Sequence, residues 1–248
     1  MVGAWKADRT NANDGSAYWF DMGEAANGGW TGADDCNWNN PLNWADGNIP
    51  NGITNVTISA GLVHYPVINQ VVATCRNLSV AALAQINIQN GNLQVNGNLT
   101  NSGQIINTNA AHLTVLGNTI FNAAVQQNIP AGTFHEFHYN SGQASNLQGN
   151  VTVLGKFYHD NNKNLTVGAN TLTLGDNIWG TARKIIFSSA SNLSLINERP
   201  YDFFLPTNAY DLNNFTVNIP GNESVYINGN LTIHGTMSLL DGDVYLGF

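Results

Sequence analysis

Three observations predict an all-β fold for this chain, a right-handed parallel β-helix (β-solenoid) with an irregular Trp-rich N-terminal cap. A phrase of the form Asn-Leu-Thr-Val-x-Gly recurs along most of its 248 residues, at intervals of mostly about 15 to 22 residues, the scale of one solenoid coil. Each copy alternates apolar and polar positions, so a period of two sends Leu and Val to one face and Asn and Thr to the other. Asn- and Gly-rich turns separate the copies, and helix signals are absent. A barrel or sandwich also alternates, but neither explains why one phrase returns in one turn context.

Residues 1–53 read as an irregular lead-in followed by the cap. Met1 to about Gly29 carries no rung phrase. Between Trp30 and Pro50 lie three of the six tryptophans, Trp30, Trp38 and Trp44, among Asn, Pro and Gly residues that demand turns. So many large rings are expected to pack over the open end of the first coil, because a solenoid needs a covered end.

Residues 54–248 are expected to form the repeat region, continuous with the cap. Copies include Asn77-Leu78-Ser79-Val80, Asn92-Leu93-Gln94-Val95-Asn96-Gly97, Asn150-Val151-Thr152-Val153-Leu154-Gly155, Thr171-Leu172-Thr173-Leu174-Gly175 and Asn230-Leu231-Thr232-Ile233-His234-Gly235. Stacked coils place like side chains above one another at roughly 4.8 Å, which predicts apolar ladders inside and Asn amide ladders at the corners. Residues 197–211 hold two prolines and four large aromatics, and are expected to leave the coil as an excursion that builds a contact surface.

Composition narrows the function. Only 10% of residues are charged, so the surface is polar but mostly neutral. A net charge of −8 with eight Lys plus Arg argues against nucleic acid and against polyanionic sugars. No apolar run approaches a membrane span and the first residues lack signal-peptide regions, so a soluble, already processed chain is expected.

The stretch from Trp30-Thr31-Gly32 through Asn37-Trp38-Asn39-Asn40-Pro41-x-Asn43-Trp44 to Gly47-x-Ile49-Pro50 resembles the opening module of large adhesin-like surface proteins of Bacteroidetes, often exported by the type IX secretion system. Phe121-Asn122-x-x-Val125-Gln126-Gln127-x-Ile129-Pro130-Ala131-Gly132-Thr133-Phe134 resembles their β-helical repeats. The resemblance implies a secreted, extracellular or cell-surface location and a structural or adhesive role. It carries no active site. The C-terminal sorting domain of that pattern is missing and Phe248 follows a rung phrase, so a fragment of a longer protein is expected, continuing into further domains or packing end to end.

Candidate site residues are few. Trp179, Tyr201, Phe203, Phe204 and Tyr210 read as lying off the repeat, where they can stack on sugar rings or dock a partner; packing against the solenoid flank is the alternative. Asp8, Asn11, Asn13 and Asp14 before Gly15 offer oxygen ligands that could suit calcium, but their order departs from the EF-hand loop and turn-forming Asx residues are the preferred explanation. No other cofactor is expected. His135 and His138 point to opposite faces of a strand and lack the helical zinc spacing. Cys36 and Cys75 form one disulfide or remain two free thiols. Asp34 with Asp35, and Asp241 with Asp243, are carboxylate pairs that a glycoside-cleaving β-helix enzyme would use. Arg183-Lys184 is the only adjacent basic pair and reads as a solvated turn. Asn55, Asn77, Asn98, Asn150, Asn164, Asn192, Asn214, Asn222 and Asn230 head Asn-x-Ser/Thr triplets, most of which follow from the rung phrase itself.

The expected function is a structural or adhesive domain of a secreted bacterial surface protein, not an enzyme, displaying loops to a surface glycan or protein without membrane insertion. The alternative is a polysaccharide-active β-helix enzyme using an acidic pair. An ice-binding or assembly surface ranks last, because Thr does not recur as a paired Thr-x-Thr array.

Overall fold

The computed structural model describes residues 27–69, 71–108, 112–180, 184–196, 201–206, 209–221 and 223–247. Their fold is a parallel β-solenoid of about 9 turns. The strands form three stacked faces, which the chain visits in the same order in every coil. Face A is built from Val72–Cys75, Asn92–Val95, the first part of His112–Phe121, the first part of Gly132–Tyr139, Val151–Val153, Thr171–Leu174, Asn192–Ile196, Asn214–Asn218 and Met237–Asp241. Face B begins with Asn27–Trp30, Asn55–Ile58, Leu78–Val80 and Leu99–Asn101, and continues through the second parts of the two long strands to Phe157–His159 and Ile178–Trp179. Its later rungs are Phe203–Leu205, Ser224–Ile227 and Asp243–Leu246. Face C includes Gln85–Ile88, Leu165–Thr166 and Tyr210–Leu212.

Register is set by the apolar pair of each phrase. On face A, Leu93, Leu113, Gly132, Val151, Leu172, Leu193, Phe215 and Met237 lie above one another, as do Cys75, Val95, Val115, Phe134, Val153, Leu174, Leu195, Val217 and Leu239. A one-residue slip would turn this interior outward, which pins the stacking. Aromatic rings cluster in the interior of the middle coils: Phe137 lies 5.2 Å from Phe121, 5.1 Å from Phe134 and 5.4 Å from Phe157 between ring centroids. In the last coil Met237 and Leu239 keep the inward register but are 41% and 52% exposed, since no described residue packs above them.

Outward positions carry the polar half of the phrase. The face A column reads Thr74, Gln94, Thr114, Thr133, Thr152, Thr173, Ser194, Thr216 and Ser238. Asparagine ladders run at two corners. Before face B, the Asn77 amide donates to Asn55 Oδ1 at 2.7 Å, and Asn77 Oδ1 and Asn98 Oδ1 accept the backbone N–H groups of Asn98 at 2.8 Å and Asn118 at 3.0 Å. Before face A, the Asn214 amide donates to Asn192 Oδ1 at 2.8 Å and Asn214 Oδ1 accepts from the Thr236 N–H at 2.9 Å. These side chains satisfy backbone donors where the strand ladder turns the corner.

The Gly that ends many phrases has a packing reason. A Cβ on Gly117 would lie 2.5 Å from Gly97 O, and one on Gly175 would lie 2.2 Å from Leu154 O. Consecutive coils approach too closely there for any side chain.

The cap covers the first coils as the sequence predicts. Trp30, Trp38 and Trp44 are buried, with Trp44 edge-on to both others at centroid distances of 4.9 and 4.8 Å. The Trp44 indole N–H donates to Trp38 O at 2.8 Å and that of Trp30 to His64 O at 2.8 Å. Asn43 is fully buried behind a 3-10 turn at Pro41–Asn43; its Oδ1 accepts from the N–H groups of Asp34 and Asp35, both at 3.0 Å.

Three expectations are corrected. The stretch up to about Gly29 is not all lead-in: Asn27–Trp30 pairs in parallel with Asn55–Ile58 and is the first described rung. The excursion is smaller than expected, because Phe203–Leu205 pairs with Ser224–Ile227 and Tyr210–Leu212 with Leu231–Ile233, both as ordinary rungs. Cys36 and Cys75 are both free thiols. Cys75 points inward on face A in register with Val95, whereas Cys36 lies in the cap, its carbonyl accepting from the Val67 N–H.

Candidate functional site

The outward column of face B changes character along the solenoid. After Gly29 its early rungs present Thr57, Ser79, Thr100 and Ile120, and the next present His138, Tyr158 and Trp179. After a break it resumes with Phe204, Tyr226 and Tyr245. Three neighbouring pairs stack: His138 on Tyr158 at 4.3 Å and 15°, Phe204 on Tyr226 at 5.0 Å and 9°, Tyr226 on Tyr245 at 5.2 Å and 14°. Parallel register delivers these contacts, since each coil lifts the middle residue of a short strand directly above its predecessor. The Lys156 ammonium lies 5.2 Å from the centre of the Trp179 ring, a cation–π arrangement.

The break falls between Trp179 and Phe204. No rung pairing joins Ile178–Trp179 to Phe203–Leu205 among the described residues. The Asn177 side chain takes its place. Asn177 Oδ1 accepts from the Phe204 N–H at 2.6 Å and its amide donates to Asp202 O at 3.0 Å. A cleft of about 220 Å³ opens here, lined by Asn177, Ile178, Trp179, Gly180 and Phe204. Gly180 has φ +108, and a Cβ there would lie 2.5 Å from His159 O and 2.6 Å from Asp160 Oδ1, so the wall beside Trp179 bears no side chain. Beneath lies Asp176, buried, with Oδ1 accepting from the Asn177 N–H at 2.6 Å and Oδ2 from the Tyr201 hydroxyl at 2.8 Å. Trp179 and Phe204 are 43% and 56% exposed.

The aromatics expected to bind ligand therefore separate. Trp179 and Phe204 line the cleft from rungs of the repeat, not from off-repeat segments. Tyr201 is part-exposed, with its hydroxyl tied to Asp176 below them. Phe203 and Tyr210 are corrected: both are 1% exposed inward rung positions and cannot touch a ligand. His138, Tyr158, Tyr226 and Tyr245 were missed. Their signal was an aromatic at the middle of the face B rung in coil after coil, as in Phe157-Tyr158-His159, Val225-Tyr226-Ile227 and Val244-Tyr245-Leu246.

The remaining candidates do not converge. Asp8, Asn11, Asn13 and Asp14 lie outside the described residues. Among the described residues no three His, Cys, Asp or Glu side chains group as a metal would require. His135 and His138 do not take opposite faces of one flat strand, because the strand turns from face A to face B between them; His135 is exposed at the corner and His138 joins the ladder. Asp35 Oδ1 accepts from the Asn37 N–H at 2.7 Å and the Asn43 amide at 2.6 Å, and these bonds, the first above all, hold its carboxyl below the ordinary value. Asp34 Oδ2 accepts from the Asn40 amide at 2.7 Å. Asp241 Oδ1 accepts from the Gly242 N–H at 2.9 Å, and Asp243 begins the following rung. Of Arg183-Lys184, only Lys184 is described, and it is exposed. No described helix is long and apolar enough to cross a membrane.

No curated protein and no solved structure matches the chain. One family profile does, the Domain of unknown function (DUF8693), over residues 29–175. That span holds the Trp cap and the coils up to the rung before the cleft. It covers more than half of the chain, which therefore belongs to this family.

Proposed function

We propose that this chain is a structural and adhesive domain of a secreted bacterial surface protein, and that it contacts a surface glycan or protein through the outward aromatic column of face B. The observation that carries the reading is the pair of exposed rings, Trp179 and Phe204, flanking an open cleft on a rigid stack of coils. Exposed aromatics on a scaffold supply large contact area at little entropic cost, because the rungs already fix them. A solenoid whose backbone is satisfied along its axis also suits reach and display. Of the carboxylates that an enzymatic reading would need, Asp34 and Asp35 are held by hydrogen bonds within the cap, and Asp241 accepts from the Gly242 N–H.

The test is binding of the purified chain to arrayed neutral glycans, arrayed acidic glycans and arrayed cell-surface proteins. A variant carrying Trp179→Ser, Phe204→Ser and Tyr226→Ser together serves as comparison, with circular dichroism to check folding. Binding by the native chain that the folded triple variant loses is the expected result. Binding that survives intact in that variant overturns the reading.

A further inference from the structure

Resting on that adhesive reading, we infer that the break in the aromatic column is a slot for one pyranose ring of a neutral glycan. On either side the column holds closed ring pairs, His138 with Tyr158, Phe204 with Tyr226 and Tyr226 with Tyr245, at 4.3 to 5.2 Å, so those ring faces are spent on neighbouring rings. Between Trp179 and Phe204 a cleft stands instead. It is built: Asn177 supplies one acceptor and one donor across the gap, at 2.6 and 3.0 Å, where backbone pairing would otherwise join the rungs. Its backbone is anchored to the buried Asp176 carboxylate.

The chemistry of the walls selects the occupant. Two exposed aromatic rings, Trp179 and Phe204, are complementary to the C–H faces of a sugar ring, which is apolar on its faces and polar at its edge. At about 220 Å³ the cleft is below the roughly 300–1,000 Å³ that encloses a whole small-molecule ligand, so it takes one ring of a longer chain. Lys156 beside Trp179 and Asp160 beside Gly180 place one donor group and one acceptor group near the rim with opposite charges, which complements hydroxyls and not an anion.

The experiment is titration calorimetry with the neutral oligosaccharide that binds best on the array, measured on the native chain and on Trp179→Ala, Phe204→Ala, Trp179→Phe and Tyr245→Ala. Losses of about tenfold or more in Trp179→Ala and Phe204→Ala are expected, with Trp179→Phe within a few fold of native and Tyr245→Ala changed about two- to threefold. Binding confined to uronate or sulfated glycans, or insensitive to Trp179→Ala and Phe204→Ala, overturns the slot. Binding to arrayed proteins without any glycan overturns the slot and leaves the adhesive reading standing. Silence on every array overturns both.

Discussion

Asn177 hydrogen-bonds to Phe204 across the gap between two coils, its Oδ1 accepting the Phe204 backbone N–H at 2.6 Å. One side chain thus stands in for a strand pair, and it holds the upper wall of the cleft. Asn177→Ala removes that acceptor and the donor to Asp202 O. The expected cost is about 1–3 kcal/mol, because backbone groups lose their partners, with a parallel fall in glycan affinity. Urea unfolding followed by tyrosine and tryptophan fluorescence measures the first; an unchanged midpoint would remove Asn177 as a strut.

Trp38 is fully buried at the centre of the cap and its carbonyl receives the Trp44 indole N–H. Trp38→Ala is expected to destabilise the chain by about 3–5 kcal/mol, the range for deleting a large buried ring. Denaturant unfolding tests this, and a cost below about 1 kcal/mol would mean that the cap packs independently of the coils.

Stability should fall in mild acid through His159. Its Nε2 donates to Lys163 O at 2.9 Å, while its Nδ1 is buried without a partner. Burial pushes the imidazole below its ordinary 6.5, only partly opposed by the Lys163 bond. The unfolded chain therefore binds the proton more tightly. Above 6.5 the ring is neutral in both states and costs nothing; below it, stability is lost progressively towards the folded-state value. Unfolding midpoints between about pH 7.5 and about pH 5 should slope downward in the native chain and less so in His159→Phe. Equal slopes in the two proteins would rule this residue out.

The two thiols should behave differently. Burial raises the Cys75 thiol to about 12, so little thiolate is available to a reagent. Iodoacetamide at pH 8 should leave Cys75 unmodified in the native chain and modify both cysteines once the chain is denatured without reductant. Intact mass reads both states, and a denatured mass lacking both adducts would restore the disulfide.

Gly117→Ala places a Cβ against Gly97 O at a coil corner. A loss of more than about 1 kcal/mol is expected, because the usual entropic gain of Gly→Ala is outweighed where the native backbone cannot take the side chain. A variant at least as stable as the native chain would show that the corner can open.

The repeat phrase itself determined the solenoid, its apolar interior and the Asn corners, because strand alternation and turn chemistry are local properties of a few residues. The tryptophan cap was legible for the same reason: Trp30, Trp38 and Trp44 are too large to leave in water. What the sequence by itself left open was the phase and neighbour of each short rung. In Phe203-Phe204-Leu205 one Phe is 1% exposed and the next is 56% exposed, and only register against Val225-Tyr226-Ile227 decides which. The aromatic column joins residues about a coil apart, and its break arises where 25 residues separate Trp179 from Phe204 against 21 between Tyr158 and Trp179. Cys36 and Cys75 likewise fall in cap and core. Such pairings are fixed by stacking between coils, a non-local interaction that no single phrase encodes, so tertiary structure alone assembled the cleft.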